Sequence, residues 1–416
     1  MKVSGKVLFI ALVAALGGIL FGYDTAVISG TTEVVKMQFG LTTGGEGWYV
    51  GCALIGSIIG VAIAGMLSDF LGRKKTMLIS AALFSISAIG CAVSADFTQL
   101  VIFRIVGGFG IGIVSIVSPV YISEVSPADV RGTMVSLYQL FITIGFLLAY
   151  LANFLILKGV SMPDYWRPML GAEAVPDILF LVMIFFIPES PRWLAVRGQR
   201  QDNSEAWKAL RERGILKAVL IGSAIAILGQ FMGVNAVLYY GPKIFADAGF
   251  QDPLFSTVLV GVVNMLTTVL ALAIIDKVGR KNLVWWGVGG MIFCLLMIGL
   301  YFLPATSLPT WFMLTFFLLY VFCTAISISA VVFVLLSEMY PNRVRGLAMS
   351  IAGFALWIGT YLIGQLTPWM LENLTPAGTF FLFAFMCLPY LWIMYKHVPN
   401  TTGKSLEEIE AYWKAK

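Results

Sequence analysis

Four ionisable residues stand within long apolar stretches of the sequence, where an unpaired charge is expensive. They are Asp24 in FGYDTAV, Arg104 in VIFRIVGG, Glu173 in LGAEAVP and Asp177 shortly after it. If the apolar stretches are membrane helices with a rise of about 1.5 Å per residue, the first three lie at matching depths, roughly 7 to 9 Å from one membrane side. We therefore expect a buried network in which Arg104 stays charged and Asp24 gains or loses a proton.

A carboxylate whose protonation follows its exposure is the physical requirement for coupling proton movement to a conformational change. A static ion pair that only stabilises the helices is the alternative interpretation. Asp177 either joins the network or faces a water-filled cavity. Gly107, Gly108, Gly110 and Gly112, which follow Arg104, indicate close helix packing and not a nucleotide-binding loop, because no strand precedes them.

A second set of polar residues lies in apolar stretches of the second half. They are Gln230, Asn235, Tyr239, Tyr240, Asn264 and Trp357. Amides supply donors and acceptors for hydroxyl groups, and an aromatic ring stacks on the C–H face of a sugar. Amides also link membrane helices to one another. Each of these residues, taken singly, is therefore compatible with either sugar binding or helix association.

The elements that must position these residues are membrane-spanning helices. Hydrophobic residues make up 59% of the 416-residue chain, charged residues 12%, and the mean hydropathy is +0.90, which exceeds what a soluble globule buries. The first apolar run contains Asp24 and is too long for a signal peptide, so we expect it to be retained. Runs near the roughly 20 residues that cross a bilayer predict an all-α protein with twelve spans, at about 7–28, 48–67, 76–95, 98–121, 134–157, 168–187, 215–240, 254–275, 283–303, 310–336, 346–366 and 378–397.

The basic residues are distributed unevenly between the two sides of the predicted spans. Of the 27 Lys and Arg residues, only Lys36, Lys158, Arg167 and Lys243 fall on the outer side, so both termini are predicted to be cytoplasmic. The net charge of +5 then reflects orientation in the cytoplasmic membrane, and we expect no nucleic-acid partner. The five cysteines lack metal-ligand spacing, so we expect no disulfide framework, metal site or other cofactor.

Two polar phrases recur in the two halves of the chain. E-x-x-P-x-x-V-R-G occurs at 124–132 and 338–346, and D-x-x-G-R-K occurs at 69–74 and 276–281. Because an even number of spans separates the copies, we predict two six-helix units of equal orientation. The predicted parts are an N-terminal bundle (1–190), a cytoplasmic linker with a short helix (191–216), a C-terminal bundle (217–398) and a cytoplasmic C-terminal helix (399–416).

The repeated phrases place acidic and basic side chains at the inner membrane surface. We expect two clusters there, one of Glu124, Arg131 and Arg73, and the other of Glu338, Arg345 and Arg280. Exposed ion pairs contribute only about 0 to 1 kcal/mol each, which suits a latch that opens repeatedly. The alternative is that these residues only fix topology and tight turns; the recurring acids favour the latch, because topology needs only the basic residues.

Seven phrases, in order along nearly the whole chain, resemble those of the sugar porter family of the major facilitator superfamily. They are GMLSDFLGRKK, EVSPADVRG, PESPRW, QFMGVNAVLYY, DKVGRK, EMYPNRVRG and TTGKSLEEIE. The resemblance, most marked to bacterial proton-coupled members, implies twelve helices in two bundles that rock around a central site. It also implies symport of a pentose or hexose with protons.

The resemblance assigns roles to individual residues. Asp24 falls on the coupling carboxylate, Arg104 on its partner and Glu173 on an acidic position of span six. Substrate-binding positions are implied at Phe21, Gln139, Gln230, Asn235, Tyr239, Asn264, Phe333 and Trp357. Cytoplasmic gate positions are implied at Asp69, Arg73, Glu124, Arg131, Glu189, Arg192, Asp276, Arg280, Glu338 and Arg345.

The sequence also departs from the family pattern. Gly229, Phe333 and Leu356 stand where hydrogen-bonding side chains are usual, and each lost bond is worth roughly 0.5 to 1.5 kcal/mol; the sugar is therefore not assigned. The G-P-x-x-W of span ten is SAVVF here, and its missing proline predicts a stiffer helix.

Three other functions fit the sequence less well. A facilitative uniporter is disfavoured by Asp24, and a transport-deficient sugar sensor is disfavoured because no signalling domain is appended. An intramembrane enzyme is not expected, because the spans show no constellation of nucleophile, base and metal ligands. We expect a monomer whose partners are a monosaccharide, protons and membrane lipid.

Overall fold

A computed structural model describes residues 4–127, 130–160, 163–196, 208–341, 344–399, 408, 412 and 413, without the side chains at 196, 276, 333 and 337. Within that part, twelve helical stretches are long and apolar enough to cross a membrane, and each predicted run overlaps one of them. The α-helices are α1 (Gly5–Phe39), α2 (Thr43–Leu71), α3 (Arg73–Val93), α4 (Phe97–Val125), α5 (Arg131–Gly159), α6 (Trp166–Gly171), α7 (Ala174–Phe185), α8 (Pro191–Val196), α9 (Arg213–Gln230), α10 (Val234–Asp247), α11 (Pro253–Val278), α12 (Arg280–Tyr301), α13 (Thr310–Thr324), α14 (Ala330–Met339), α15 (Arg345–Asn373) and α16 (Thr375–Lys396). The predicted all-α class with twelve spans is confirmed.

Local sequence explains where several helices begin and end. The Thr42 side chain accepts a hydrogen bond from the Gly45 amide at the start of α2 (3.2 Å), and Asp96 accepts one from the Gln99 amide at the start of α4 (2.9 Å). Both satisfy backbone donors that the first helical turn leaves free. Helix α1 ends at Gly40, whose φ of 60° is the left-handed conformation that glycine adopts at little cost.

Three spans are interrupted within their apolar stretch. Span six breaks at Glu173, between α6 and α7, and span seven breaks between α9 and α10, where Gly233 has a φ of 90°. Span ten contains a π-helical segment, Ala325–Ser329, between α13 and α14. That segment ends at Ser329, the first residue of SAVVF, so the helix is irregular there even without the proline.

The recurring phrases adopt the same local conformation in both halves. Gly72 and Gly279 of D-x-x-G-R-K have φ values of 98° and 87°, which explains why both are glycine. Val130 and Val344 of the other phrase have φ and ψ of −120° and 1°, and −122° and −2°. This agreement supports the predicted relation of the two halves.

Contacts between residues divide the chain into two compact units. Unit 1 comprises residues 1–198, 236–265 and 364–368, and unit 2 comprises 199–235, 266–363 and 369–416. Unit 1 thus holds the first predicted repeat together with parts of spans seven, eight and eleven. The predicted boundaries of the bundles and linker stay a prediction. The linker helix predicted near 205–213 and the helix predicted in SLEEIE lie mostly outside the described residues.

Close packing of α2 against α4 fixes the helix that carries Arg104. A Cβ atom on Gly108 would overlap the Ala53 carbonyl group, and one on Gly112 would overlap the Ser57 carbonyl group. The two helices therefore approach each other through glycine, as predicted for the glycines after Arg104.

Candidate functional site

The centre of unit 1 contains a buried ion pair between the first and fourth spans. Arg104 Nη1 donates a hydrogen bond to Asp24 Oδ1 over 2.5 Å. The two residues are 3% and 1% exposed, so the pair lies outside the reach of bulk water. At this depth burial favours the neutral carboxylic acid, whereas the adjacent guanidinium favours the carboxylate. Because these two effects oppose each other, Asp24 is suited to taking up and releasing a proton.

A glycine of α4 lets α3 pack closely beside the Asp24 carboxylate. A Cβ atom on Gly107 would overlap Ser87 Oγ of α3 and would lie 3.8 Å from Asp24 Oδ1. Gly107 follows Arg104 by three positions, so both residues lie on the same face of α4. The close contact of three helices thus aligns the two charged groups.

Glu173 and Asp177 join this charged network from the break in span six. Both are buried, with Glu173 directly before α7 and Asp177 in its first turn. Asp24, Asp177 and Arg104 are electrostatic neighbours of Glu173, and Asp24 is one of Asp177. Among the described residues, neither Asp177 carboxylate oxygen nor Glu173 Oε1 has a hydrogen-bond partner. Three buried carboxyl groups, those of Asp24, Glu173 and Asp177, thus accompany the one guanidinium of Arg104 in unit 1.

A second charged network lies where α2 and α4 end and α3 begins, at the D-x-x-G-R-K phrase of unit 1. Arg73 donates to Glu124 twice, from Nη2 (3.0 Å) and Nε (3.1 Å), and to Asp69 Oδ1 (2.8 Å). Glu189 accepts from the backbone amides of Arg73 (2.9 Å) and Lys74 (3.1 Å), which are free donors at the start of α3. We call Asp69, Arg73, Glu124 and Glu189 the inner network.

The PESPRW phrase is tied to the inner network by residues that were not predicted. Ser190 Oγ donates to Glu124 Oε2 over 2.5 Å, and Trp193 Nε1 donates to the Asp69 carbonyl over 2.8 Å. No motif in the sequence predicted a role for Ser190. Its position directly after Glu189, a predicted gate residue, was the available sign. The phrase therefore docks the start of α8 onto the ends of α2 and α4.

Unit 2 repeats the central pair of the inner network. Arg280 Nη2 lies 2.9 Å from Glu338 Oε1, and this pair corresponds to Arg73 with Glu124 in the first repeat. The two equivalent arginines each begin a helix directly after the positive-φ glycine of D-x-x-G-R-K. The recurring acids and bases are thus brought together in both halves.

Other predicted gate residues are placed differently. Within the described part of the chain, Arg131, Arg192 and Arg345 form no ion pair, and Arg345 donates to the Tyr340 carbonyl (3.3 Å). Each expected three-residue cluster is therefore reduced to its glutamate and one arginine. The reason is that Arg73 and Arg280 already pair with the glutamates. The side chain of Asp276 lies outside the described residues.

Amide side chains converge in unit 2 at the break of span seven. Gln230 Oε1 accepts a hydrogen bond from Asn235 Nδ2 over 2.6 Å and lies 3.2 Å from Thr360 Oγ1. Trp357 is buried on α15, one turn before Thr360, and therefore on the same face. Thr360 was not predicted; its spacing from Trp357 was the available signal. The arrangement offers amide, hydroxyl and aromatic groups to a polyhydroxylated ligand.

The remaining predicted sugar residues lie in unit 1, apart from Phe333, whose side chain is outside the described residues. Tyr239 and Asn264 are buried, and Phe21 and Gln139 are half-buried. Gln139 makes no hydrogen bond to a described residue, so its amide is available to a ligand. Phe21 precedes Asp24 by three positions on α1, so the two residues lie on the same face of that helix.

A further ionic cluster, which was not predicted, lies at the opposite membrane end from Arg73. Glu46 in the first turn of α2 is fully buried. It accepts from Lys36 Nζ over 2.7 Å and from Lys243 Nζ over 2.9 and 3.2 Å. The phrase GGEGW gives no sign of this role, since its partners are 10 and 197 positions away. We call Lys36, Glu46 and Lys243 the outer cluster, after the predicted topology.

Comparisons with known proteins agree with this arrangement. The chain matches the family model described as "Sugar (and other) transporter" over residues 10–213 and 199–413. It is 37% identical to the arabinose-proton symporter of Bacillus subtilis (strain 168), over 98% of this chain and 95% of the relative. It is also 37% identical to the D-xylose-proton symporter of Escherichia coli (strain K12), over 99% and 96%.

A solved structure shares the whole architecture. It is an inward open conformation of the xylose transporter XylE from E. coli, with a TM-score of 0.85, 36% identity and coverage of 98% of this chain and 100% of that one. The matches and the twelve apolar helices identify a multi-pass membrane protein with the major facilitator fold, and not an enzyme. The chain belongs to the sugar transporter family of the major facilitator superfamily.

Proposed function

We propose that this protein is a proton-coupled monosaccharide symporter that works by alternating access. The observation that carries the proposal is the buried contact between Asp24 and Arg104, because a facilitative uniporter needs no titratable group at this depth. Relatives named as arabinose-proton and D-xylose-proton symporters support the same function. They also disfavour a sensor.

Proton binding acts on the link between α1 and α4. With Asp24 ionised, its carboxylate and the Arg104 guanidinium attract each other in a low-dielectric site and hold the two helices together. Protonation of Asp24 removes that attraction and leaves Arg104 to the neighbouring acids Glu173 and Asp177. The state of one proton thus changes the contact between two spans that line the first repeat.

Sugar binding uses the uncharged polar groups. Gln230 and Asn235 already share a hydrogen bond, and sugar hydroxyls can replace or extend it at little net loss. The Trp357 ring supplies a face for stacking. The absence of charged side chains in this set favours a neutral monosaccharide, either a pentose or a hexose.

The inner network and the Arg280–Glu338 pair act as the gate on the cytoplasmic side. The side chains of Arg73 and Glu124 are only 11% and 7% exposed, whereas those of Arg280 and Glu338 are 15% and 25% exposed. Opening this side therefore requires that water reach Glu124 as it separates from Arg73, because a buried charge that loses its partner is costly. Glu189 and Ser190 extend the network to α8, which follows the first repeat.

The distribution of basic residues supports insertion in the cytoplasmic membrane with both termini on the cytoplasmic side. Two repeats in one chain supply the complete set of proposed groups, which supports a monomer. Lipid contacts the apolar outer faces of the twelve spans.

Uptake of labelled pentoses and hexoses into proteoliposomes, with and without an inward proton gradient, tests the proposal. Accumulation of one sugar above equilibrium, only when the gradient is present, is the expected result and identifies the substrate. Flux that equilibrates regardless of the gradient would indicate a uniporter. No flux of any sugar would favour a sensor.

A further inference from the structure

Glu46 is a fully buried carboxylate at the end of α2 that lies away from the inner network. Its two oxygens face two ammonium groups, from Lys36 at the end of α1 and from Lys243 near the end of α10. A buried carboxylate with two charged donors is well compensated, whereas loss of one partner leaves a costly uncompensated charge. The outer cluster therefore favours the conformation in which these three helix ends meet.

The outer cluster joins the two sequence repeats. Lys36 and Glu46 belong to the first two spans, and Lys243 belongs to span seven, the first span of the second repeat. All three lie in unit 1, together with residues 236–265 and 364–368 of the second repeat. An ion pair in this position can oppose separation of the repeats at this membrane end.

Two hydrogen bonds next to the outer cluster extend the same contact to span eleven. Gln365 Nε2 donates to the Gly44 carbonyl over 3.1 Å, and Tyr240 Oη donates to the Gly364 carbonyl over 2.7 Å. A Cβ atom on Gly47 would overlap the Gln365 carbonyl, so glycine allows the start of α2 to approach α15. Four spans therefore meet around Glu46.

The lysines are placed so that the contact can also be broken. Their side chains are 28% and 24% exposed, which leaves part of each ammonium group hydrated while Glu46 stays dry. Asp247, one turn after Lys243, is an electrostatic neighbour of both Lys243 and Glu46. When Glu46 becomes hydrated, Asp247 and water can pair with the Lys243 ammonium group in its place. Separation of Glu46 from Lys243 therefore leaves no buried unpaired charge.

We infer that Glu46 is a positioning residue that holds the outer ends of spans one, two and seven together while the sugar site faces the cytoplasm. The outer cluster separates whenever the site faces outward. The inference rests on the proposed alternating-access function. It adds an outer lock to the gate proposed for the inner network.

Distances between spin labels test this role directly. Met37→Cys at the end of α1 and Ala246→Cys at the end of α10 are exposed and are labelled in full-length protein whose five cysteines are replaced. We expect Glu46→Gln and Lys243→Gln each to shift the ratio of long to short distances by about tenfold toward long ones. The double exchange Glu46→Lys with Lys243→Glu keeps the cluster's composition and is expected to restore the parent distribution.

A surface ion pair at the same membrane end provides the control. Lys158 Nζ lies 3.1 Å from Asp252 Oδ2, with both side chains largely exposed, so Asp252→Asn is expected to leave the distances unchanged. Unchanged distances in Glu46→Gln and Lys243→Gln, or failure of the charge exchange to restore them, would overturn the inference. If instead the parent shows no proton-dependent sugar uptake, the proposed function fails, whatever the distances show.

Discussion

Asp24 and Arg104 are 80 positions apart in the sequence and in direct contact, with 2.5 Å between Oδ1 and Nη1. The contact joins α1 to α4 at a depth where neither side chain reaches bulk water. A change in the charge of either group therefore alters the packing of both helices.

Removal of Arg104 alone is expected to destabilise the protein. Arg104→Ala leaves Asp24 buried without its partner, which costs about 3 to 5 kcal/mol when the remaining charge is uncompensated. The double variant Asp24→Asn with Arg104→Gln removes both charges and is expected to recover most of that loss. Thermal unfolding in detergent measures the difference, and equal loss in single and double variants would contradict the ion-pair account.

Gln230 is expected to contribute to sugar affinity. Gln230→Ala removes the group that accepts from Asn235 and lies next to Thr360, and loss of one or two hydrogen bonds corresponds to a rise in KM of about tenfold. Asn282→Ala is a suitable control, because Asn282 is an exposed amide whose Nδ2 donates to the Val278 carbonyl at the end of α11, away from Gln230 in the sequence and in its hydrogen bonds. Similar KM values for both variants would remove Gln230 from the sugar site.

Gly108 is expected to tolerate no side chain. A Cβ atom there would overlap the Ala53 carbonyl, whereas Gly289 on α12 has no atom within 4 Å of its Cβ position. Gly108→Ala therefore forces α2 and α4 apart, while Gly289→Ala fits. The yield of monodisperse protein and its melting temperature should fall for the first variant alone. Matching values for the two variants would mean that the helices are not held by this contact.

Several site residues were predictable because the sequence alone shows that their position is unfavourable in free energy without a specific role. Asp24 and Arg104 stand out as charges among apolar residues, and their equal predicted depth led to the expected network. Gly72 and Gly279 recur because a positive φ is needed directly before α3 and α12. Helical spans of about twenty apolar residues follow from the thickness of the bilayer.

Other residues could not be predicted, because their environment is created by tertiary contacts. Glu46 looks like an ordinary acid in a first helical turn, and only the fold brings Lys243 to it. Ser190 reaches Glu124 because α8 docks onto the ends of two helices. Arg131 resembles a gate residue in sequence, yet Arg73 occupies the glutamate that it was expected to pair with.

The most direct test of the central claim compares the parent with Asp24→Asn in proteoliposomes, under an inward proton gradient and in sugar exchange without a gradient. The variant replaces the titratable group by a neutral one of equal size. We predict that it loses accumulation above equilibrium but retains exchange of labelled for unlabelled sugar. Accumulation in the variant at the level of the parent would contradict proton coupling through Asp24 and would make its contact with Arg104 a structural ion pair.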